Sequence, residues 1–480
     1  MKRLSILPTS SLVTSLLLAG LLAGCGALSQ SDPPALADGG ALQNELRQLS
    51  APAEERAGGR AGERLVWLRA FYQRRHGQPA WTLGEHGVHA RADELLTAIG
   101  GAAAHGLDPE TYGHSSLIQA INRRRARSPD AESSAKHAAR LDVRLSAAFL
   151  AYADDLRRGA VDPAEISISW QVRRSATDLS GLLATAIALN RVGVNLARLA
   201  PTGVEYRRLQ QALAGGSHGP GEADRLRANL ERWRWLPRDL GSRYLLVRIA
   251  DFELDYVVDG RTQTHRVIVG KPYRQTPQFA SEVTQVVVHP KWFVPASIAE
   301  EELAPSLGAE AGARRLAQQG FQARTHRGKL VALDSLSWDS AAGFSSKYRL
   351  EQRAGGSNPL GRVKLDLLNP FAIFLHDTPG THMFSSEARD LSHGCVRVEG
   401  IVDLVRELLG PSQVVSRFNH LLSSGKAGRV TLASPVPVYI VYWTVSVTPD
   451  GQLRSTEDLY DVDGHLLRAL AQARHPQISL

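Results

Sequence analysis

Between residues 64 and 215 the apolar side chains recur at spacings of three and four, and from Tyr244 onward they alternate. The first period is that of an amphipathic helix and the second that of a half-buried strand, so one chain must hold two kinds of core. Arg64-Leu65-Val66-Trp67-Leu68-Arg69-Ala70-Phe71-Tyr72 carries the helical pattern, as do residues 141–150. Trp67, Phe71, Tyr72 and Trp81 are read as core rather than as a ligand site. A Gly/Ser/His/Pro stretch at 215–221 separates the two texts. A short helix with Leu226, Leu230, Trp233 and Leu236 follows, closed by Pro237. Residues 244–249, 252–258, 262–269 and 283–288 then read as strands, with Asp259-Gly260 as a hairpin turn. Residues 298–358 break the alternation with helix-like Ala/Glu/Leu text, then Gly, Ser and charge. Strand text resumes at Val363 and at 372–375, a helix covers 401–409, and residues 436–447 with a Pro449-Asp450-Gly451 turn close the β region. The expected architecture is α+β and multidomain. An all-α domain at 61–215 precedes a mostly-β domain at 222–475, which carries an insertion at 298–358.

Composition narrows the function classes. The chain has 480 residues, 43% hydrophobic and 22% charged, which suits globular cores and excludes wholesale disorder or a multi-span membrane protein. A net charge of +8 favours residence near an anionic polymer or surface. No Lys/Arg run and no aromatic-basic module is present, so no nucleic-acid partner is expected.

There are two cysteines, Cys25 and Cys395. Lys2 and Arg3 precede an apolar stretch at 12–22, too short for a comfortable membrane span, which ends in Leu22-Ala23-Gly24-Cys25. This resembles a bacterial lipoprotein lipobox; an ordinary secretory signal with a chance cysteine is the alternative. The resemblance implies a signal peptide at 1–25, cleavage before Cys25 and lipid on its sulfur. Burial of roughly 0.8 kcal/mol per CH2 is what anchors such a chain. Residues 26–60, rich in Ser, Pro, Ala and Gly, read as a tether. Gly26 rather than Asp follows the cysteine, which implies the periplasmic face of the outer membrane. With Cys25 acylated, Cys395 is a lone thiol in an oxidising compartment.

The chemistry-bearing text is His376-Asp377-Thr378-Pro379-Gly380 and Ser392-His393-Gly394-Cys395-Val396-Arg397. A thiol reacts as thiolate and needs help to ionise at neutral pH. A histidine within hydrogen-bond reach supplies it, and His376 follows strand text that can aim it into a cleft. Gly394 lets backbone approach a substrate, and the amides of Gly394 and Cys395 are candidate oxyanion donors, each worth about 3 kcal/mol. Arg397 offers a fork for a carboxylate; a surface or structural ion-pair arginine is the competing reading. His376, His382, His393 and Cys395 lack the paired spacings of a zinc site, so no metal and no cofactor is assigned. His382 reads as a surface or cleft-edge residue.

His-Asp-Thr-Pro, a spacer, then Ser-His-Gly-Cys-Val-Arg resembles the signature of L,D-transpeptidases with a YkuD-type catalytic domain. Further text is similar to the large YcbB-like subgroup. It includes Asn229-Leu230-Glu231-Arg232-Trp233-Arg234-Trp235-Leu236-Pro237, Val267-Ile268-Val269-Gly270-Lys271-Pro272 with Gln275-Thr276-Pro277, and Pro290-Lys291-Trp292-Phe293-Val294-Pro295-Ala296-Ser297-Ile298. It also includes Asn358-Pro359-Leu360-Gly361-Arg362-Val363-Lys364, Gly106-Leu107-Asp108-Pro109 and Tyr152-Ala153-Asp154-Asp155-Leu156-Arg157-Arg158-Gly159. The resemblance implies a helical scaffold, a catalytic β domain and a lid over 298–358. It implies acyl transfer on peptidoglycan stem peptides. Cys395 attacks the carbonyl at the L-centre of diaminopimelate and expels D-alanine. His376 takes the thiol proton and later deprotonates an acceptor amine, which gives a third-to-third cross-link. His393 either orients the loop or moves protons, and Ser392 bonds the loop or the base. Tyr348, Asn358 and Arg362 are candidate substrate contacts near the lid's return.

One departure stands out. The subgroup's peptidoglycan-binding helical module has no room between Leu209 and Leu226. The expected partners are the donor tetrapeptide, the acceptor diaminopimelate amine, the membrane through the lipid, and peptidoglycan synthases and carboxypeptidases. Resolution of the acyl-enzyme by water, giving a carboxypeptidase or cross-link hydrolase, is the main competing function. A catalytically silent wall-binding lipoprotein is the third.

Overall fold

The computed structural model describes residues 59–473, apart from 84–86, 127–130, 168–169, 171, 173–176, 217, 308–309, 337–342, 412 and 449. Cys25, the lipobox and nearly all of the 26–60 tether therefore lie outside the described residues.

The first half is helical, with α1 Gly59–Arg74, α2 Arg91–Gly100, α3 His114–Arg125, α4 Ala131–Arg158, α5 Leu179–Ala188, α6 Val192–Ala197 and α7 Val204–Ala214. Helix α4 is the central element. From Ala138 to Leu156 it is buried on nearly every side, as a helix wrapped by its neighbours must be. Its Asp142 is fully buried and acts as an anchor. Its carboxylate accepts the backbone N–H groups of Ala80, Trp81 and Thr82 and the hydroxyl of Tyr72. Phe71, Tyr72 and Trp81 are buried in this core and Trp67 packs at its edge, as their spacing indicated. Gly159 ends α4 with φ +88°; a Cβ there would lie 2.4 Å from Glu231 Oε1, so only glycine fits.

Helix α8, Glu222–Arg234, leads into the β domain. Strands β1 Arg243–Arg248, β2 Glu253–Val258 and β3 Arg261–Ile268 form a meander, and β4 Phe279–Val288 follows. The β2–β3 turn has Asp259 and Gly260 both at positive φ, the backbone that a two-residue hairpin of this hand demands. An insertion follows, with β5 Trp292–Phe293, helix α9 Glu310–Gln318, β6 Phe321–Thr325, β7 Leu330–Val331 and β8 Tyr348–Gln352. The main domain then resumes with β9 Val363–Leu367, β10 Leu375–His376, β11 Val396–Val398, α10 Ile401–Leu409, α11 Gln413–Ser424 and β12 Gly428–Val441. The hairpin β13 Val445–Val447 and β14 Leu453–Ser455 and helix α12 Asp463–Gln472 end the described chain.

Eight strands close a barrel in the order β9-β10-β11-β3-β2-β1-β12-β4. Two neighbours, β10–β11 and β12–β1, are parallel; the rest are antiparallel. The interior is filled by alternating residues such as Leu245, Val247, Val286, Val363, Leu365, Leu375 and Val396.

Two readings are corrected here. Residues 372–375 do not form a strand throughout: Ala372 has φ +54° and only Leu375–His376 pairs. The insertion is a small unit with its own sheet, order β5-β8-β6-β7, and its own core of Ala313, Leu316, Phe321, Ala323 and Leu350. Its first strand begins at Trp292, before the break in alternation. Strands as short as Phe321-Gln322-Ala323-Arg324-Thr325 carry too few alternations to register as a pattern.

The two halves share buried structure. Val445 and Val447 of β13 pack into the helical core. Asn229 of α8 exchanges hydrogen bonds with Thr444, and Arg232 pairs with Asp463 at 2.5 Å. The fully buried Arg234 pairs with Glu231, which also accepts from Val161 N–H and the Trp235 indole.

Candidate active site

Register decides which side chains meet. Lys364 of β9 lies opposite His376 of β10, and His376 lies opposite Arg397 of β11. Period-two alternation turns Leu365, Leu375 and Val396 into the barrel, and so turns Lys364, His376 and Arg397 to its outer face in one row. Cys395, one step before Val396, shares that face with Phe374.

His376 is 4% exposed. Its Nδ1 sits 2.6 Å from the Asp377 carbonyl, so Nδ1 carries the proton and Nε2 keeps its lone pair. Burial of the ring pulls its pKa down to about 4; the Asp377 carbonyl opposes the shift, and Arg397 and Lys364 reinforce it. The imidazole is therefore a neutral acceptor at physiological pH. Asp377 is itself held: its Oδ2 accepts from Arg362 N–H at 2.8 Å and from Arg362 Nε at 3.3 Å.

Cys395 is half-buried and is a free thiol. Its S–H is directed at the Ala372 carbonyl, 3.7 Å away, and not at the His376 ring. Burial pushes the thiol pKa up, while the Phe374 N–H, Lys364 and Arg397 pull it back. Lys364 is fixed by Asp366 at 2.6 Å and stands 3.9 Å from the centre of the Phe374 ring.

The loop before the sulfur is closed on itself. Ser392 donates to the Cys395 carbonyl at 2.6 Å and accepts the Gly394 N–H at 3.1 Å. The Gly394 amide is thus occupied, which removes it from the pair of expected oxyanion donors and leaves Cys395 N–H. Gly394 has φ +110° and packs against Ile373 and the Gln275 carbonyl, a place where only glycine sits without strain. His393 pairs with Glu302 of the insertion, and the neighbouring Arg274 pairs with Glu301. His393 is therefore tied to the insertion rather than to the sulfur.

The remaining expected residues separate. Arg397 is half-buried and, among the described residues, has no carboxylate partner; its contact is Met383 Sδ at 3.6 Å. That does not match the ion-pair reading. Asn358 is fully buried, and its amide is spent on the Pro290 and Arg353 carbonyls and the Leu360 N–H. It is a staple of the insertion's return and not a substrate contact. Tyr348 packs against Phe344 at 5.5 Å at the edge of the insertion core. Arg362 is exposed and acts on Asp377. His382 is exposed on a short helical turn. Among the described residues no group of three or more His, Cys, Asp or Glu is placed to hold a metal ion. Lys364, Thr276 and Tyr460 also bear on this site, and none carries a chemical signature of its own in the sequence. Lys364 and Thr276 lie inside the stretches quoted above, and Tyr460 has no local signal.

These features define a class: a helical domain joined to a β-barrel that carries one free thiol and a buried, neutral imidazole on adjacent strands of its outer face. Comparison with known proteins finds matches for both halves. Residues 66–213 match a scaffold domain, and residues 242–435 match the L,D-transpeptidase catalytic domain of the YkuD family. A Haemophilus influenzae (strain ATCC 51907 / DSM 11121 / KW20 / Rd) protein named "Putative L,D-transpeptidase" is 30% identical over 320 residues, which is 66% of this chain and 64% of that relative. The chain thus spans just under two thirds of the length of the relative it matches. Its β domain is thus matched to the L,D-transpeptidase catalytic domain of the YkuD family, with a match to a scaffold domain ahead of it.

Proposed function

We propose that this chain is a peptidoglycan L,D-transpeptidase with Cys395 as nucleophile and His376 as base. The observation that carries the proposal is the buried His376, locked as the Nδ1–H tautomer on the Asp377 carbonyl, on the same barrel face as the free thiol. Nε2 takes the S–H proton as sulfur attacks the carbonyl at the L-centre of diaminopimelate in a tetrapeptide stem. The C–N bond breaks, D-alanine leaves with that proton, and a thioester remains. A diaminopimelate amine from a second stem then attacks. Its proton passes to Nε2 and the thiol is regenerated, leaving a third-to-third cross-link. Arg397, without a carboxylate partner among the described residues, is suited to a substrate carboxylate. The insertion serves as a lid, with Glu301 and Glu302 as its points of contact. The lipid on Cys25 holds the enzyme at the periplasmic face of the outer membrane, where synthases and carboxypeptidases supply its substrate.

The test is mass spectrometry of tetrapeptide muropeptides incubated with the protein. Dimers that have lost one D-alanine support transpeptidation; tripeptides alone assign hydrolysis; unchanged substrate overturns the enzymatic reading. A carbapenem should form a covalent adduct that is lost in Cys395→Ala, and an adduct that survives the substitution places the nucleophile elsewhere.

A further inference from the structure

The geometry around Gly394 points to a buttress for the oxyanion donor, built partly from residues beyond the matched catalytic domain. The carbonyl of Gly394 accepts a hydrogen bond from Thr276 Oγ1 at 2.8 Å. In a trans peptide the C=O and the following N–H point in opposite directions, and no cis peptide occurs among the described residues. Pinning the Gly394 oxygen to Thr276 therefore turns the Cys395 N–H away from the 270–276 loop. That N–H makes no hydrogen bond to another described residue.

Thr276 is in turn held rigidly. Its Oγ1 accepts the Gly270 N–H at 2.9 Å, which directs its own proton to Gly394. Its backbone N–H donates to the Tyr460 hydroxyl at 3.1 Å, and that hydroxyl donates to the Gly270 carbonyl at 2.7 Å. Tyr460 stacks on Tyr442, with ring centres 5.3 Å apart at 14°, and donates its N–H to the Tyr442 hydroxyl. Thr276 is 2% and Tyr460 9% exposed, so water does not compete for these bonds. Tyr460 lies 25 residues past the end of the matched domain at 435.

We propose that Thr276 and Tyr460 are positioning residues that aim the Cys395 N–H at the oxygen of the attacked carbonyl. The inference rests on the acyl-transfer reading above. A donor that stabilises an oxyanion speeds attack on a carbonyl, but it does nothing for simple alkylation of the sulfur, in which no oxyanion develops. Two rates therefore separate a positioning role from a merely structural one: acylation by a carbapenem and alkylation by iodoacetamide, both followed by intact mass. Thr276→Val should slow acylation about 30-fold and leave alkylation within about twofold of wild type. Thr276→Ser, which keeps the hydroxyl, should restore acylation. Tyr460→Phe keeps the stacked ring and should show a smaller loss in the same direction, so the idea stays testable if Thr276→Val folds poorly. Wild-type acylation in both Thr276→Val and Tyr460→Phe overturns the buttress, and so does a parallel fall in both rates. A wild-type protein that is alkylated but never acylated overturns the acyl-transfer reading itself.

Discussion

At the scale of single residues the site depends on a histidine kept neutral by burial. A general base works while it is unprotonated, that is, above its pKa. With the His376 pKa pulled down to about 4, carbapenem acylation should hold level as the pH falls below neutrality and drop only as the pH passes through about 4. A midpoint near the ordinary imidazole value of about 6.5 in that rate profile would show that His376 is not the buried base. His376→Ala should cost about a hundredfold or more in acylation at neutral pH. His393→Ala should cost far less, because the His393 ring faces Glu302 and not the sulfur. Equal losses would remove the distinction between the two roles. The thiol's own pKa is raised by burial, so the proposed reaction calls for proton removal during attack rather than a standing thiolate.

At the scale of elements, the row Lys364, His376 and Arg397 exists because three short strands share one register. A slip by one residue would turn the imidazole into the barrel and Leu375 out of it. The insertion is attached at the same place. Its return is fixed by Asn358, whose buried amide closes the Pro290 and Arg353 carbonyls. Asn358→Ala leaves those acceptors without their donor and should destabilise the protein by about 1–3 kcal/mol in a thermal melt. Acylation at a permissive temperature should stay within about twofold of wild type, since the residue touches no reacting group. A large loss of acylation with an unchanged melt would return Asn358 to the substrate site. Glu301 and Glu302 are about half exposed, and pairs of that kind contribute little to stability, so they bias the insertion's position more than its folding.

At the scale of the whole molecule the two halves are one structure and not two beads. Strand β13, which is outside the barrel, packs in the helical core, and α8 carries buried Asn229, Glu231, Arg232 and Arg234. Glu231 neutralises Arg234 while serving Val161 and Trp235. Glu231→Ala would leave a buried guanidinium unpaired and should cost about 3–5 kcal/mol. In a thermal denaturation followed by both helical and near-ultraviolet signals, both should shift down together. A melt unchanged from wild type would mean that the pair carries no structural weight. The same coupling helps to place Tyr460 against the loops at Gly270 and Thr276: Thr444 and Asp463, on either side of it in sequence, are held to α8.

What the sequence determined by itself is what neighbours along the chain encode. The change of period separated helical from β text, Asp259-Gly260 marked its hairpin, and the strings around His376 and Cys395 contained the groups proposed to react. These signals survive in isolation because side-chain alternation and turn backbone are set within a few residues. Closure of eight strands, the insertion's private sheet, and the spending of the Gly394 amide on Ser392 were decided only by tertiary structure. So was the reach of Thr276 across 118 positions to the Gly394 carbonyl. The reason is geometric. Which side chains become neighbours across strands depends on register and on barrel closure, and both are settled by burial of the common core rather than by any local stretch of text.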